Sequence, residues 1–347
     1  MDELSASDTQ TRIVPGAAFG GHTVRVRFVA PLAAPRATFA TMRRSLFAAG
    51  VAAAGLFALV ARRTRHHVPP PGAPVPPELP PGRTVTLPAR GEVFLRDTGP
   101  SPGPTFLLVH GWSVSADVNW SGVYGPLATR GRVLAPDLRG HGRSIRAGAE
   151  FRLRDAADDL VAVLDALEVE RAVVIGYSMG GPVAELFARD HTDRVQALVL
   201  CATFGRFVMT RRDARLHRLL PLARFILRRL RYRTLVRLLR SVTPERMTPE
   251  WLAGELMRWD VDAVAAAGRE ILKFDATAWL PSLSMPRAVV VTTRDGLVSV
   301  AKQRRLVEAL HAPSVDVPLD HDGVVTRPEE FVAALCQALD LTAPQPA

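Results

Sequence analysis

The stretch that decides the fold is AVVIGYSMGGPVAELF, residues 172–187. It opens with an apolar, β-branched run, continues through a serine flanked by glycines, and ends in an amphipathic segment. This order predicts a buried strand, a sharp turn and a helix. The turn would hold Ser178 in a strained conformation with its hydroxyl exposed, while Gly176 and Gly180 relieve crowding around it. The alternative is an ordinary strand-to-helix turn in which the serine only caps the helix.

Outward from this stretch, short β-rich runs alternate with helical patterns from Arg83 onward. Such alternation predicts a mostly parallel, doubly wound sheet with helices on both faces. The first two strands, separated by Pro-Ala-Arg-Gly, are predicted to form a hairpin. The alternation stops at about residues 204–280, which are predicted to form an inserted helical cap. Strands are predicted at residues 84–87, 92–96, 105–110, 132–135, 172–176, 196–201, 287–293 and 314–317, and helices at 153–167, 182–189, 301–310 and 328–339.

A nucleophilic serine needs two further side chains, a base that takes its proton and an acid that orients the base. The expected order along the chain is serine, acid, histidine. Asp295 follows the penultimate predicted strand and His321 follows the last one, so both lie at the carboxyl ends of strands. We therefore predict Asp295 as the acid and His321 as the general base. A turn-forming aspartate and a loop histidine are the alternatives, and Asp320 and Asp322 are too close to His321 in sequence to orient it.

Two further motifs lie before the serine: HGW, residues 110–112, follows one buried strand, and DLRGHGRS, residues 137–144, follows the next. Together with GYSMG, residues 176–180, they resemble the α/β-hydrolase fold family over residues 83–341. The resemblance implies an oxyanion hole formed by the backbone N–H groups of Trp112 and Met179. Some members place the acid after the strand that follows the serine, but residues 202–204 contain no carboxylate here.

The resemblance implies a serine hydrolase that cleaves a carboxylic ester with an apolar acyl group through an acyl-enzyme on Ser178. Three other acyl reactions could use the same triad: carbon–carbon bond hydrolysis, acyl transfer and perhydrolysis. A different class of function is a non-catalytic binding module on the same fold. Epoxide hydrolases and dehalogenases share the fold but use an aspartate nucleophile, so Ser178 counts against them.

Composition excludes several classes of protein. A chain of 347 residues that is 48% hydrophobic can bury a large core, so wholesale disorder is excluded. Its two cysteines, Cys201 and Cys336, allow neither a disulfide framework nor a thiolate metal cluster, and both are predicted to be buried. His110 and His141 lie in glycine-flanked turns, which favours a structural role over metal binding. No H-E-x-x-H or phosphate-binding loop occurs, so no cofactor or metal is implied.

The net charge of +10 is not accompanied by any nucleic-acid-binding motif, and no nucleic-acid partner is expected. Much of the charge lies between Arg206 and Arg240, where twelve arginines accompany a single acid, Asp213, with leucines at helical spacing. This pattern predicts a basic amphipathic surface. Three interpretations stay open: a solvated helical face, a contact with anionic lipid headgroups, or a site for an acidic substrate or partner.

The amino-terminal part divides into three segments: residues 1–44 form a leader without periodicity, 45–61 are apolar and uncharged, and 62–82 are basic and then proline-rich. Arginines flank the apolar segment, which favours a membrane anchor, with a cleaved signal or a buried helix as alternatives. Uncleaved, it would tether the protein on either side of a membrane, and cleaved, it would release a secreted protein. Met42 is an alternative start of translation, and residues 342–347 form a tail.

Overall fold

The computed structural model describes residues 79–207, 225 and 229–343. The sheet in this part of the chain has eight strands in the order β1-β2-β4-β3-β5-β6-β7-β8. Strands β3 to β8 are parallel, whereas β1 and β2 form an antiparallel hairpin that joins the sheet through β4. The predicted fold class and all eight predicted strands are confirmed. They are β1 (Gly82–Leu87), β2 (Gly91–Asp97), β3 (Thr105–Val109), β4 (Arg132–Pro136), β5 (Ala172–Tyr177), β6 (Val195–Cys201), β7 (Arg287–Thr292) and β8 (Ser314–Val317).

The four predicted helices are present, with ends that differ from the predicted bounds by at most two residues. Three shorter helices were not predicted, because fewer than two turns carry no readable periodicity. The helices outside the β6–β7 connection are α1 (Ala116–Trp120), α2 (Tyr124–Ala128), α3 (Leu153–Ala166), α4 (Gly180–Asp190), α8 (Val300–Leu310), α9 (Gly323–Thr326) and α10 (Pro328–Asp340).

Both faces of the sheet are buried, which explains why its strands are continuous apolar runs. In β3, Leu107 and Val109 belong to one apolar cluster, while Phe106 and Leu108 belong to the cluster on the other face. Helices α3 and α4 pack on the first face, and α10 packs on the second. The carboxyl ends of the parallel strands therefore meet at one fixed edge of the sheet, where the loops are held by a rigid support.

Between β6 and β7 the described residues form α5 (Tyr232–Leu239), α6 (Pro249–Leu256) and α7 (Val261–Lys273). Thr248 caps the start of α6, and Asp260 caps α7 by accepting hydrogen bonds from the next turn. Asp260 also accepts a hydrogen bond from Gly148 N at 2.8 Å, and its own N–H donates to Gly140 O at 3.1 Å. The start of α7 is thereby fixed to the loop that follows β4.

Several predictions fall on residues that the structure does not describe. These are the leader, the apolar segment 45–61, the linker up to residue 78, residues 208–224 and 226–228 of the predicted cap, and residues 344–347. Across the part of the chain that is described, no helix combines the length and the apolarity that crossing a bilayer requires. Cys201 is buried, as predicted, but Cys336 is only half-buried because α10 lies at the surface, and both thiols are free.

Candidate active site

Ser178 lies at the turn between β5 and α4, with a φ of +53°, in the left-handed region that non-glycine residues rarely occupy. Hydrogen bonds hold this strained backbone on both sides. Its N–H donates to Cys201 O at 3.1 Å, and its carbonyl accepts from Gly181 N at 2.9 Å and from Thr203 Oγ1 at 2.6 Å. The turn is thus fixed by β6 and by its own helix, as expected where strain is kept for a function.

The two glycines of the motif have no room for a side chain. A Cβ on Gly180 would lie 2.1 Å from Val109 O, and one on Gly176 would lie 2.6 Å from Gly180 O. Both contacts are with backbone atoms, which cannot swing aside. These glycines therefore allow the helix to start close against β3 and β5, which brings Ser178 to the edge of the sheet.

The structure brings the three predicted triad residues together. His321 Nε2 lies 2.9 Å from Ser178 Oγ, and His321 Nδ1 lies 2.7 Å from Asp295 Oδ2. A carboxylate only accepts, so Nδ1 carries the ring proton and the neutral Nε2 accepts from the serine hydroxyl. This is the hydrogen-bond chain that activates a serine.

Asp295 is held rigidly, and its side chain is fully buried. Its Oδ1 accepts hydrogen bonds from the N–H groups of Leu297 and Val298, both at 2.8 Å. Its Oδ2 accepts from Thr292 Oγ1 at 3.0 Å and from Gln303 Nε2 at 3.4 Å, beside the imidazole. These neutral donors fix the carboxylate without competing with His321 for its charge.

His321 is also fixed from the side of β5. The Tyr177 hydroxyl donates a hydrogen bond to the backbone carbonyl of His321, and the two rings lie 5.6 Å apart between centroids. Burial raises the pKa of Tyr177 well above its usual value, so the hydroxyl stays a donor. The residue next to the nucleophile thereby locks the loop that carries the base.

The two residues predicted to supply the oxyanion donors come from different elements and line the same cavity. Met179 is the cap residue of α4, so its N–H has no acceptor within the helix. The Gly111 carbonyl accepts from His110 Nδ1 at 2.8 Å, while Gly111 N donates to Asn119 Oδ1 at 2.9 Å. In a trans peptide the carbonyl and the following N–H point in opposite directions, so His110 directs the Trp112 N–H away from itself.

These residues line a cavity of about 340 Å³, which is within the usual range for a small-molecule site. Its wall is overwhelmingly apolar and includes Phe204, Ile271 and Leu297. Ser178, Trp112, Met179 and His321 are part of the same wall. The nucleophile, the base and both predicted donors therefore open onto one apolar space. The wall residues described are Gly111, Trp112, Ser113, Val114, Asn119, Tyr177, Ser178, Met179, Phe204, Phe207, Gly268, Ile271, Leu272, Leu297, Val298, His321, Asp322, Val324 and Val325.

Comparison with known proteins agrees with this geometry. The sequence profile of the alpha/beta hydrolase fold matches residues 104–235. A pimeloyl-[acyl-carrier protein] methyl ester esterase of Chromobacterium violaceum is 31% identical over 250 residues, which cover 70% of this chain and 96% of the relative. The chain belongs to the α/β-hydrolase fold family. The resemblance predicted from the sequence motifs is thereby confirmed.

Other members of the α/β-hydrolase family match this chain less completely. A bifunctional esterase/perhydrolase of Acinetobacter calcoaceticus is 39% identical over 111 residues, which cover 31% of this chain and 40% of the relative. The first curated relatives are matched over only 30 to 43% of their own length. A thermophilic esterase from Thermogutta terrifontis superposes with a TM-score of 0.61 at 25% identity, covering 76% of this chain and all of that chain.

The loop that carries Trp112 is tied to the β6–β7 connection. Trp112 Nε1 donates to Val264 O of α7 at 2.7 Å. Gly268, one turn later, leaves space for the indole, because a Cβ there would lie 2.9 Å from Trp112 Cζ2. The side chain of the residue predicted to supply an oxyanion donor therefore spans from the sheet to α7.

The second family motif, residues 137–144, forms a buried ionic cluster behind the loop. Arg143 lies 3.2 Å from Asp137, 2.8 Å from Asp117 and 3.5 Å from Glu255 of α6. Its guanidinium also lies 3.7 Å from the centre of the Phe94 ring. We call Arg143 and these three acids the Arg143 cluster. Burial raises the pKa of Asp137, and the charge of Arg143 opposes this shift by favouring the ionised carboxylate.

His110 and His141 lie with ring centroids 5.4 Å apart, but their contacts are structural. His110 Nε2 accepts from Leu138 N at 2.8 Å, and His141 Nδ1 lies 3.0 Å from Arg139 O. Burial lowers the pKa of His110 to about 4 and that of His141 to about 3. No group of three or more possible ligands is placed to hold a metal ion among the described residues.

Four supporting residues were not found from the sequence. Tyr177 stands inside the serine motif, where its aromatic hydroxyl was a usable signal. Asn119 forms a hydrogen bond with Gly111, and Gln303 forms one with Asp295. Each pair is eight residues apart in the sequence, and no spacing rule indicates such contacts. Asp322, which lies too close to His321 in sequence to orient it, lies on the cavity wall.

Proposed function

We propose that this α/β-hydrolase cleaves a carboxylic ester with an apolar acyl group through an acyl-enzyme on Ser178. The observation that carries the proposal is the hydrogen-bond chain from Asp295 through His321 to Ser178, which ends at an apolar cavity. An ester fits such a place because its carbonyl needs a nucleophile and two donors, while its acyl chain needs an apolar surface.

In the first step, Ser178 Oγ attacks the ester carbonyl while His321 Nε2 takes the hydroxyl proton. The imidazolium is stabilised by the Asp295 carboxylate, which stays ionised. Negative charge develops on the carbonyl oxygen, and the N–H groups of Trp112 and Met179 are the donors that we propose for it. Collapse of the tetrahedral intermediate releases the alcohol, which receives its proton from His321.

In the second step, water attacks the acyl-enzyme while His321 again takes the proton. The carboxylic acid leaves, and the Ser178 hydroxyl is restored by the proton from His321. Each half-reaction uses the same donors and the same base. No cofactor is needed for either half-reaction, since every group required belongs to the chain.

Two of the relatives support the ester as the substrate class. The Chromobacterium protein is named a methyl ester esterase, and the Acinetobacter protein is named an esterase/perhydrolase. The latter also keeps perhydrolysis open as a second acyl reaction on the same triad. The product distinguishes the reactions, because perhydrolysis requires hydrogen peroxide and forms a peracid, whereas hydrolysis forms the carboxylic acid. Carbon–carbon bond hydrolysis would be detected as cleavage of a diketone substrate. Acyl transfer would be detected as formation of a new ester when a competing alcohol is added.

The proposal is tested with a fluorophosphonate probe and a panel of acyl esters of graded chain length. Wild-type protein should be labelled and should hydrolyse esters, whereas Ser178→Ala should lose both while keeping its circular dichroism spectrum. Ser241→Ala, at an exposed position, is the matched control and should behave as wild type. Wild-type protein that neither reacts with the probe nor cleaves any ester would indicate a non-catalytic module.

We also propose that residues 45–61 anchor the hydrolase at a membrane and that the arginines of residues 206–240 contact anionic headgroups. The support is the uncharged apolar run between arginines, and the exposed positions of Arg233, Arg237 and Arg240. Arginines before and after the apolar run nearly balance, so either side of the membrane is compatible.

Deletion of residues 1–67 tests this placement. The shortened protein should leave the membrane fraction, keep its esterase activity, and bind anionic vesicles weakly in a salt-sensitive way. Loss of activity would mean that the apolar segment packs into the catalytic domain. If binding to anionic vesicles in the flotation assay did not change with salt concentration, the electrostatic contact would be contradicted.

A further inference from the structure

The cavity beside Ser178 carries a single carboxylate among the described residues of its wall, Asp322. No arginine or lysine accompanies it there. The wall is otherwise built mainly from aliphatic and aromatic side chains, with few polar groups besides Ser178 and His321. A lone charge in such a place strongly affects what can enter, because apolar walls screen it poorly.

The Asp322 carboxyl makes no hydrogen bond or ion pair with any of the described residues. It precedes α9 as the cap residue, yet its side chain does not cap the helix. Its backbone carbonyl is used, accepting from Val325 N and Thr326 N at 2.9 Å each. The backbone is thus fixed while the two carboxyl oxygens stay open to a ligand.

Two observations place the carboxyl in a concavity. Asp322 is exposed by surface area, yet its pKa is raised, mainly because surrounding protein atoms desolvate it. The charges of Asp320 and Asp295 act in the same direction, and that of His321 opposes them. A side chain that is exposed and still closely surrounded lies in a pocket, and the cavity of Ser178 is the pocket that Asp322 lines.

We propose that Asp322 is the charge selector of this site: it excludes substrates that bear a carboxylate and admits esters whose acyl or alcohol part is neutral or cationic. This inference rests on the proposed esterase activity and adds the substrate class. A carboxylate that enters the cavity would meet a second negative charge with no cation among the described wall residues to compensate it. A quaternary ammonium group would meet its counter-charge, and a hydroxyl group would meet an acceptor.

The test compares three series of methyl esters of matched, graded chain length. The acyl chain ends in a methyl group, in a carboxylate or in a trimethylammonium group. Each kcat/KM is divided by that of the neutral ester of equal length, so that any general change in His321 cancels. The variants are Asp322→Asn and Asp322→Ser, and Asp320→Asn removes the same charge from an exposed residue outside the cavity wall.

Wild-type protein should prefer the neutral and ammonium esters over the carboxylates. In both Asp322 variants the carboxylate ratio should rise about tenfold and the ammonium ratio should fall by about the same factor, as expected for charges separated by a few ångströms of protein. Asp320→Asn should keep the wild-type ratios. Equal changes for all three series, or the same shift in Asp320→Asn, would overturn the inference while esterase activity stands. Failure of wild-type protein to cleave any of the esters would overturn both.

Discussion

Asp137 and Asp295 are two buried aspartates in loops that follow parallel strands, and each accepts hydrogen bonds from two backbone amides. The two carboxylates differ in the basic side chain that each one contacts. Arg143 Nε lies 3.2 Å from Asp137 Oδ2, whereas His321 Nδ1 lies 2.7 Å from Asp295 Oδ2. A guanidinium keeps its proton at any physiological pH, while an imidazole gains and loses one near neutrality.

The groups around the two aspartates differ in the same way, charged around Asp137 and neutral around Asp295. The Arg143 cluster adds Asp117 and Glu255 around one guanidinium, and these charges raise the pKa of Arg143 although burial acts to lower it. Asp295 receives only neutral donors besides His321 among the described residues. Similar loop chemistry therefore yields a permanent ionic support in one place and a pair that can pass a proton in the other. The chemical group of the partner, a guanidinium or an imidazole, therefore decides which role the aspartate has.

The largest expected effect is on kcat, when the hydrogen bond between Asp295 and His321 is disrupted. Asp295→Asn keeps the shape but leaves the imidazole in the wrong tautomer, so kcat on an ester should fall about 10³- to 10⁴-fold. Steady-state assays of ester hydrolysis with the purified variant measure kcat directly. Asp320→Asn, the matched control, should keep kcat within a fewfold of wild type. A damaging Asp320→Asn beside a harmless Asp295→Asn would show that the acid has been wrongly identified.

Breaking the other aspartate pair should cost stability instead of chemistry. Arg143→Met leaves the buried Asp137 without its cation, whereas Asp117 keeps Arg96 and Glu255 keeps Arg258, and the free energy of unfolding should fall by about 3–5 kcal/mol. Urea unfolding measures the loss, and kcat per folded molecule should stay within a fewfold of wild type. Arg305→Met removes the same charge from an exposed helix position and should change stability by about 0.5 kcal/mol or less. A large loss of kcat with unchanged stability would place Arg143 in the chemistry.

The effect that is smallest per pH unit concerns the two buried histidines His110 and His141. His110 and His141 have folded-state pKa values of about 4 and about 3, below the ordinary 6.5, because burial disfavours their charged forms. The unfolded chain therefore takes up protons below pH 6.5 that the folded chain does not. Their contribution to stability is complete above pH 6.5 and should be lost at about 1.4 kcal/mol per pH unit for each histidine as the pH falls towards 4.

Glu185 opposes this slope and needs a control. Its carboxyl is fully buried without a hydrogen-bond partner, and burial raises its pKa well above the usual value, so the folded chain keeps a proton there. Glu185→Gln removes that contribution with little change in shape. Urea unfolding at several pH values between 6.5 and 5 should show that this variant loses stability more steeply than wild type as the pH falls. Stability independent of pH in that window would contradict the assignment of both as neutral.

The sequence predicts the fold well because the signals that decide it are local. Strands buried on both faces, such as β5, appear as unbroken apolar runs, and the serine between glycines marks where one of them ends. The four predicted helices α3, α4, α8 and α10, of three to four turns, are equally readable from their periodicity. The short helix α9 and the turn before it were not, because four residues contain no period to read.

The triad was predictable for a related reason. Ser178, Asp295 and His321 all follow strands, and parallel strands bring their carboxyl ends to one edge of the sheet. Two supporting contacts, Gln303 with Asp295 and Asn119 with Gly111, depend on how helices α8 and α1 lie on that sheet. Asp322 is recognisable only once the cavity exists, because its importance comes from the apolar side chains around it.

The tight packing around Gly176 and Gly180 affects which residues can change during evolution. Each glycine is required by a backbone oxygen 2.1 to 2.6 Å from where a Cβ would stand, and neither touches the reaction. A descendant that abandoned catalysis would still need both glycines to fold, whereas Ser178, Asp295 and His321 would be free to drift. The glycine pattern therefore records ancestry, and only the three hydrogen-bonded side chains record whether a lineage still uses the site.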